Sequence, residues 1–295
     1  MALDLSALRR IIADENRLLT GADIPAEYQS DVLGRVHGSA EALAFPLSTE
    51  EVSALLRYAH EHRVPVTPRG AGTNLVGSTV PLEGGIILDL SRMDRVLELD
   101  EDTMTVTVEP GMLLQDLQAY VEARGLFYPP DPGEKASSIG GNISTNAGGM
   151  RAVKYGVTRD FVLGTEVILP GGDKVMFGGR AHKNVVGLDL AKLMVGSEGT
   201  LGFISKIFLK LLPKPESSAT VMAGFASYKD ALEAVGGIFG AGILPCALEF
   251  IGERIVKLMN KDGDIPWPAD KVNSVLLIRL DGSRETLPTY QVLIL

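Results

Sequence analysis

Pro68-Arg-Gly-Ala-Gly-Thr-Asn-Leu-Val-Gly77 and Ser137-Ser-Ile-Gly-Gly-Asn-Ile-Ser-Thr-Asn-Ala-Gly-Gly149 are two glycine-rich, nearly uncharged stretches. Glycine admits positive φ and lets amides approach a ligand with no Cβ in the way. The interleaved Ser, Thr and Asn add short side-chain donors. From Ala136 to Met150 the second stretch runs fifteen residues without a charge. A solvent loop of that length usually carries charges, and a buried one must satisfy its amides somewhere. A phosphate or the edge of a flavin ring would do so. Two such loops predict a cradle for a large, flat, phosphorylated dinucleotide.

The first loop is not a Rossmann fingerprint. Gly70 and Gly72 give G-x-G, but Leu75 stands where the third glycine belongs. No G-x-x-x-x-G-K-[ST] occurs either, which excludes a P-loop. Net charge is −9, from 28 basic and 37 acidic residues, against the basic surplus of a general nucleic-acid binder. Cys246 is the single cysteine, so an internal disulfide and a Cys-rich metal site are both impossible. That usage fits a reducing cytoplasm. Met1-Ala-Leu-Asp-Leu-Ser6 lacks the basic start and apolar run of a signal peptide. Ala234 to Leu248, the longest uncharged apolar stretch, is interrupted by glycines and Pro245 and is too short to span a membrane. A cytoplasmic protein is expected, any attachment to the inner membrane face being made through partners.

Leu5, Leu8, Ile11, Ile12 and Leu19 predict an amphipathic first helix. A second opens at Ser48-Thr-Glu-Glu51 with capping-box spacing and runs through Val52, Leu55, Leu56 and Ala59. Strands are predicted at 64–67, 86–90, 96–99 and 105–108, with a helix over 112–123 ended by Gly125. Segments 165–169 and 174–177 read as a hairpin around Pro170-Gly-Gly-Asp173, and 202–212 as one long strand. After Pro213-Lys-Pro215 a new unit alternates strand (220–225), helix (228–239), strand (247–251), helix (254–260) and strand (274–280). A domain boundary is therefore expected near residue 214. His60 and His62 end a helix, where a cation suits the dipole better than a metal role. His182 reads as a surface residue, His37 stays unassigned, and no metal site is expected.

Pro68-Arg-Gly-Ala-Gly-Thr-Asn, Pro129-Pro-Asp-Pro, Ser138-Ile-Gly-Gly-Asn, Thr145-Asn-Ala-Gly-Gly149, Lys154-Tyr-Gly and Gly196-Ser-Glu-Gly-Thr-Leu-Gly202 occur in that order. Together they resemble the vanillyl-alcohol-oxidase-type FAD enzymes with a PCMH-type FAD domain, most closely the glycolate oxidase large-subunit and D-lactate dehydrogenase branch. The resemblance implies an α+β fold. A two-subdomain FAD-binding domain would occupy residues 1–213 and a partial substrate-binding cap residues 214–295. It implies that Arg69, Gly70, Ala71, Gly72, Thr73 and Asn74 cradle the FAD pyrophosphate by converging amides, with Ser78 close by. Pro132, Gly141, Asn142, Ser144, Thr145, Gly148 and Gly149 would run along the cofactor, and Glu198 and Ile204 would touch its adenosine or flavin portion. Many relatives tether FAD through a histidine in the first loop. Gly72-Thr73-Asn74 has none, which implies non-covalent FAD.

The implied activity is oxidation of a glycolate- or D-lactate-like 2-hydroxy acid to the 2-keto acid by hydride transfer to flavin. Electrons would pass on to an iron–sulfur subunit, a quinone or an electron-transfer flavoprotein. That chemistry needs a base and a carboxylate-binding cation. Relatives supply them late in the cap, whereas no histidine follows His182 here. No catalytic residue is therefore assigned, and Cys246 reads as a small buried hydrophobe. Thr286 to Leu295 carries no charge, loses the pattern and reads as a truncated or frame-shifted end. The alternative expectation is thus a non-catalytic FAD-binding subunit or remnant. A partial cap also predicts an exposed sheet edge.

Overall fold

The computed structural model of the protein describes residues 3–261 and 271–294, in two compact units. The first comprises Met1–Tyr128, Glu134–Ala147 and Thr158–Leu212; the second comprises Pro129–Gly133, Gly148–Val157 and Pro213–Leu295. Two short segments lying before residue 213 in sequence thus group with the later residues.

In the first unit, α1 (Leu5–Ile11) starts on Asp4, whose carboxylate accepts from Ser6 N and Ala7 N. It does not reach Leu19. Asp14 caps a short 3₁₀ turn over Glu15–Arg17, and Leu18–Thr20 forms strand β1, antiparallel to β2 (Ala42–Ala44). Helix α2 (Thr49–His62) begins where the sequence predicts, with Ser48 Oγ accepting from Glu51 N at 3.2 Å. The reciprocal half of the capping box is missing. Glu51 instead accepts from Leu47 N at 2.8 Å and pairs with Arg17 at 2.7 Å. The helix closes on Arg63 in the left-handed region and feeds β3 (Val66–Arg69) and then β4 (Ile86–Asp89). Both β2 and β3 run parallel to β4 in a sheet ordered β1-β2-β4-β3. Val52, Leu55 and Leu56 of α2 pack with Ile86 and Leu88 in one core. Each such side chain contributes about 1.5–3 kcal/mol on burial.

The remaining elements of this unit are β5 (Val96–Asp100), β6 (Thr105–Val108), α3 (Leu114–Glu122), β7 (Leu126–Phe127) and α4 (Ile139–Ser144). After α5 (Ala152–Tyr155), which belongs to the second unit, come β8 (Val162–Ile168), β9 (Lys174–Gly178), α6 (Leu190–Met194) and β10 (Phe203–Lys210). A second, antiparallel sheet is ordered β5-β6-β10-β8-β9. The predicted long strand stops at Lys210, and β11 (Leu212–Pro213) is separate. Glu166 on β8 ties this sheet to α2. It accepts from Ser205 Oγ at 2.9 Å, Lys206 Nζ at 3.2 Å and Thr49 Oγ1 at 3.3 Å.

The second unit is built on β12 (Ser217–Phe225), α7 (Tyr228–Gly240), β13 (Ala247–Ile251), α8 (Glu253–Lys261), β14 (Ser274–Gly282) and α9 (Leu287–Ile294). Its antiparallel sheet is ordered β12-β14-β13. Val221, Leu276, Ile278 and Leu280 point to one face and pack with Ala231 and Ile238 of α7 and Leu287 of α9. Within the uncharged terminal stretch, residues 287–294 form α9, on which Leu287 and Tyr290 pack with this core.

Candidate functional site

Beyond Arg69 the first glycine stretch is a loop, and the second contains helix α4 over six of its thirteen residues. Ser138 caps α4, and Ile139 and Ile143 are fully buried one turn apart. Gly140 lies where a Cβ would meet Pro110 at 2.7–3.1 Å, so its glycine is required by packing. The opening amides of α4 are satisfied inside the protein: Ile139 N by Met112 O, Gly140 N by Pro110 O, both at 2.8 Å, and Gly141 N by Ser138 Oγ at 3.2 Å.

Ser138 Oγ also accepts from Ala71 N at 3.3 Å, which joins α4 to the first loop. A Cβ on Gly70 would sit 2.2 Å from that oxygen. The turn at 196–200 completes the cluster, with Gly196 N donating to Ile143 O at 2.9 Å and Glu198 N to Ser144 O at 2.8 Å. Gly199, at φ +77°, lies where a Cβ would meet Pro68 Cγ at 2.4 Å. Three segments far apart in sequence are thereby assembled in the first unit.

Within the first loop, Arg69 holds its guanidinium 4.5 Å over the Tyr28 ring and donates to Glu27 O at 3.3 Å. Burial, reinforced by Asp89, pushes the Tyr28 phenol above its ordinary pKa. Gly72, at φ +69°, crosses directly over that guanidinium, where a Cβ would clash at 2.4 Å. Asn74 organises the loop itself: Oδ1 accepts from Val76 N and Ser78 N, and Nδ2 donates to Thr79 Oγ1 at 3.2 Å. Among the described residues, the amides of Gly72, Thr73, Asn74 and Leu75 meet no protein acceptor. Such consecutive free donors in a partly buried loop are what an anionic diphosphate requires.

Other predicted residues divide in role. Ser144 Oγ and Thr145 Oγ1 return to Gly140 O and Gly141 O, and Ile204 is buried in β10. Asn142 is only 3 % exposed, and its Nδ2 has no partner. Ser197 Oγ is likewise buried and unpartnered. Ser138 and Ser197 both lie inside the glycine motifs, yet neither role follows from spacing alone. A cavity of about 760 Å³ opens beside the same turn, lined by Leu56, Val64, Val66, Gly199, Thr200 and Phe203. That is within the range of small-molecule sites. The free amides, the two unpartnered polar groups and the glycine-only approaches fit a flavin dinucleotide.

Pro132, Gly148 and Gly149 lie in the second unit. There a Cβ on Gly149 would meet Asp131 O at 1.9 Å, and Arg151 Nε pairs with Asp131 at 3.3 Å. Lys154 Nζ pairs with Asp281 and also donates to its carbonyl at 2.9 Å, while Tyr155 OH donates to Oδ2 at 2.9 Å. Cys246 is buried as expected, but its thiol also faces a charge. Burial, and then Asp281, push it up to about 11. His62 stacks on Tyr58 at 4.4 Å, and His182 Nε2 donates to Thr103 O at 2.7 Å. Among the described residues no cluster of His, Cys, Asp and Glu could hold a metal ion, and no helix is long and apolar enough to cross a membrane.

The family description "FAD binding domain" matches residues 40–178, and "FAD linked oxidases, C-terminal domain" matches residues 214–291. The glycolate oxidase subunit GlcD of Bacillus subtilis is 44% identical over 276 residues, covering 93% of this chain and 57% of the relative. A D-lactate dehydrogenase of Anaerostipes hadrus is 40% identical, covering 91% and 58%. This chain thus spans a little under three-fifths of these curated relatives. An alkyldihydroxyacetonephosphate synthase structure superposes with a TM-score of 0.84 over 99% of this chain and 58% of that one, at 21% identity. p-Cresol methylhydroxylase with substrate bound gives 0.80 over 98% and 62%, at 18% identity, a likeness of fold. The chain belongs to the FAD-linked oxidases with a PCMH-type FAD-binding domain, and its cofactor is FAD.

Proposed function

We propose that the protein takes part in FAD-dependent oxidation of a 2-hydroxy acid of the glycolate or D-lactate class to the 2-keto acid. The single observation that carries this reading is the run of free amides at Gly72–Leu75, set against α4 in a chain 44% identical to a glycolate oxidase subunit. In this reading residues 1–213 form the FAD-binding domain and 214–295 part of the substrate cap. Gly72, Thr73 and Asn74 hold the diphosphate through their amides, and Arg69 stiffens the loop from beneath. Asn142 Nδ2 and Ser197 Oγ supply buried donors, and the cavity beside Gly199 takes the adenosine end. No histidine stands in the first loop, so FAD is held without a covalent bond. When bound, FAD supplies the two-electron oxidant. Reoxidation passes to an iron–sulfur subunit, a quinone or an electron-transfer flavoprotein.

The test is anaerobic mixing of the FAD-loaded protein with D-lactate, glycolate and D-2-hydroxyglutarate. Loss of the flavin absorbance with at least one acid is expected. A flavin that stays oxidised with every acid, yet bleaches with dithionite, would leave an FAD-binding protein without this activity.

A further inference from the structure

Helix α7 carries two apolar stripes where its own unit uses one. Ala231 and Ile238 are buried in the core, with Ala234 and Val235 packed at its margin. Roughly a quarter-turn around the helix, Tyr228, Leu232 and Phe239 point outward, 67%, 57% and 42% exposed. With Val235 they recur at i, i+4, i+7 and i+11, the spacing of a seam between two helices. Gly236 flanks this stripe in mid-helix and is exposed, and a Cβ there would meet nothing within 4 Å. Among the described residues nothing requires glycine at that position, although glycine is a poorer helix former than alanine. A second backbone passing close to this face does require it.

Two properties select a second copy of the chain, lying antiparallel, as the occupant. The seam is its own complement. With a two-fold axis between Glu233 and Ala234, Tyr228 lies opposite the partner's Phe239 and Leu232 opposite the partner's Val235. Aromatic then meets aromatic, and aliphatic meets aliphatic. The charges agree with this arrangement. Lys229 pairs with Glu233 at 3.8 Å, and Ser227 Oγ donates to Asp230 Oδ2 at 2.8 Å, so the charged groups of α7 are answered locally. All three lie between Tyr228 and Glu233, and residues 234–240 carry no charge. Antiparallel pairing sets the charged half of each helix against the neutral half of the other. Parallel pairing would bring Lys229 to Lys229 and Glu233 to Glu233, like against like.

We infer that α7 is a self-association surface through which two copies of this chain pair by an antiparallel helix contact. The three outward side chains bury roughly 300 Å² per copy, below the roughly 800 Å² per partner of a standard interface. The dimer is accordingly weak and reversible, forming at micromolar rather than nanomolar concentration.

The test is sedimentation equilibrium of the full FAD-loaded chain from low to high micromolar concentration. The weight-average mass should rise toward twice that of one chain. Leu232→Asp places a carboxylate in the seam and should weaken association at least about tenfold, with Tm and flavin spectrum unchanged. Gly236→Gln should raise Tm, glutamine being the better helix former, and yet weaken association. Gly237→Gln, on the opposite side of the helix from Tyr228, should raise Tm and leave association as it is. Mixing Tyr228→Cys protein with Phe239→Cys protein under mild oxidation should give a disulfide-linked pair that neither gives alone, the native Cys246 being buried. The mass of a single chain at every concentration, undiminished association in Leu232→Asp, or linking of Tyr228→Cys protein to itself overturns the inference.

Discussion

Gly70→Ala is the substitution that tests how the two glycine stretches are built against each other. Gly70 has no left-handed φ, so alanine is conformationally allowed and only contact opposes it. The new Cβ would lie 2.2 Å from Ser138 Oγ, while its next neighbours, Ser138 Cβ and Gly141 N, are at 3.3 and 3.8 Å. Relief requires Ser138 Oγ to rotate away, abandoning Ala71 N and Gly141 N. Two neutral hydrogen bonds, one of them a helix cap, amount to about 2 kcal/mol. Ser138→Ala loses the same two bonds and should cost about the same. The double variant has no oxygen left to clash with, so Gly70→Ala should add less than about 0.5 kcal/mol in that background. Urea unfolding of the four proteins reads the cycle, giving a coupling near 2 kcal/mol between residues 68 positions apart. Additive losses, or a neutral Gly70→Ala, would refute the packing argument.

Further outcomes follow from other contacts. Burial raises the Glu166 carboxyl, but hydrogen bonds from Ser205 and Lys206 outweigh it, and the folded pKa lies below the ordinary 4.5. Its contribution is therefore present above pH 4.5 and lost as pH falls through the lowered value. Glu166→Gln should lower stability at neutral pH and flatten the acid limb of a stability-against-pH curve; an unchanged acid limb would contradict this. Cys246, buried and pushed up to about 11, should not react with DTNB in the native protein at pH 8 and should react promptly in denaturant. Gly199→Ala, at φ +77° and 2.4 Å from Pro68, should weaken FAD binding at least tenfold in a fluorescence titration.

Periodicity and capping made much of the fold legible. Strands 105–108 and 247–251 fall where alternation predicts, and α2 begins on its Ser48 cap. The misreadings have local causes. Leu19 continues a helical spacing, yet α1 ends at Ile11 with Ile12 extended, Asp14 caps a separate 3₁₀ turn, and sheet pairing takes Leu18–Thr20. α4 was hidden by Gly140 and Gly141, poor helix formers, because Pro110 leaves Gly140 no room for a side chain. The absence of charge over 136–150 therefore marks burial against protein as much as approach to a ligand. In the first loop the Asn and Arg side chains shape the turn, and among the described residues the amides of Gly72–Leu75 meet no protein acceptor.

The most direct measurement is FAD titration of the refolded, flavin-free chain, followed by acid precipitation. The account predicts one FAD bound per chain, a structured visible spectrum, and all flavin released unmodified into the supernatant. A chain that stays colourless, or flavin that remains with the precipitated protein, would contradict it.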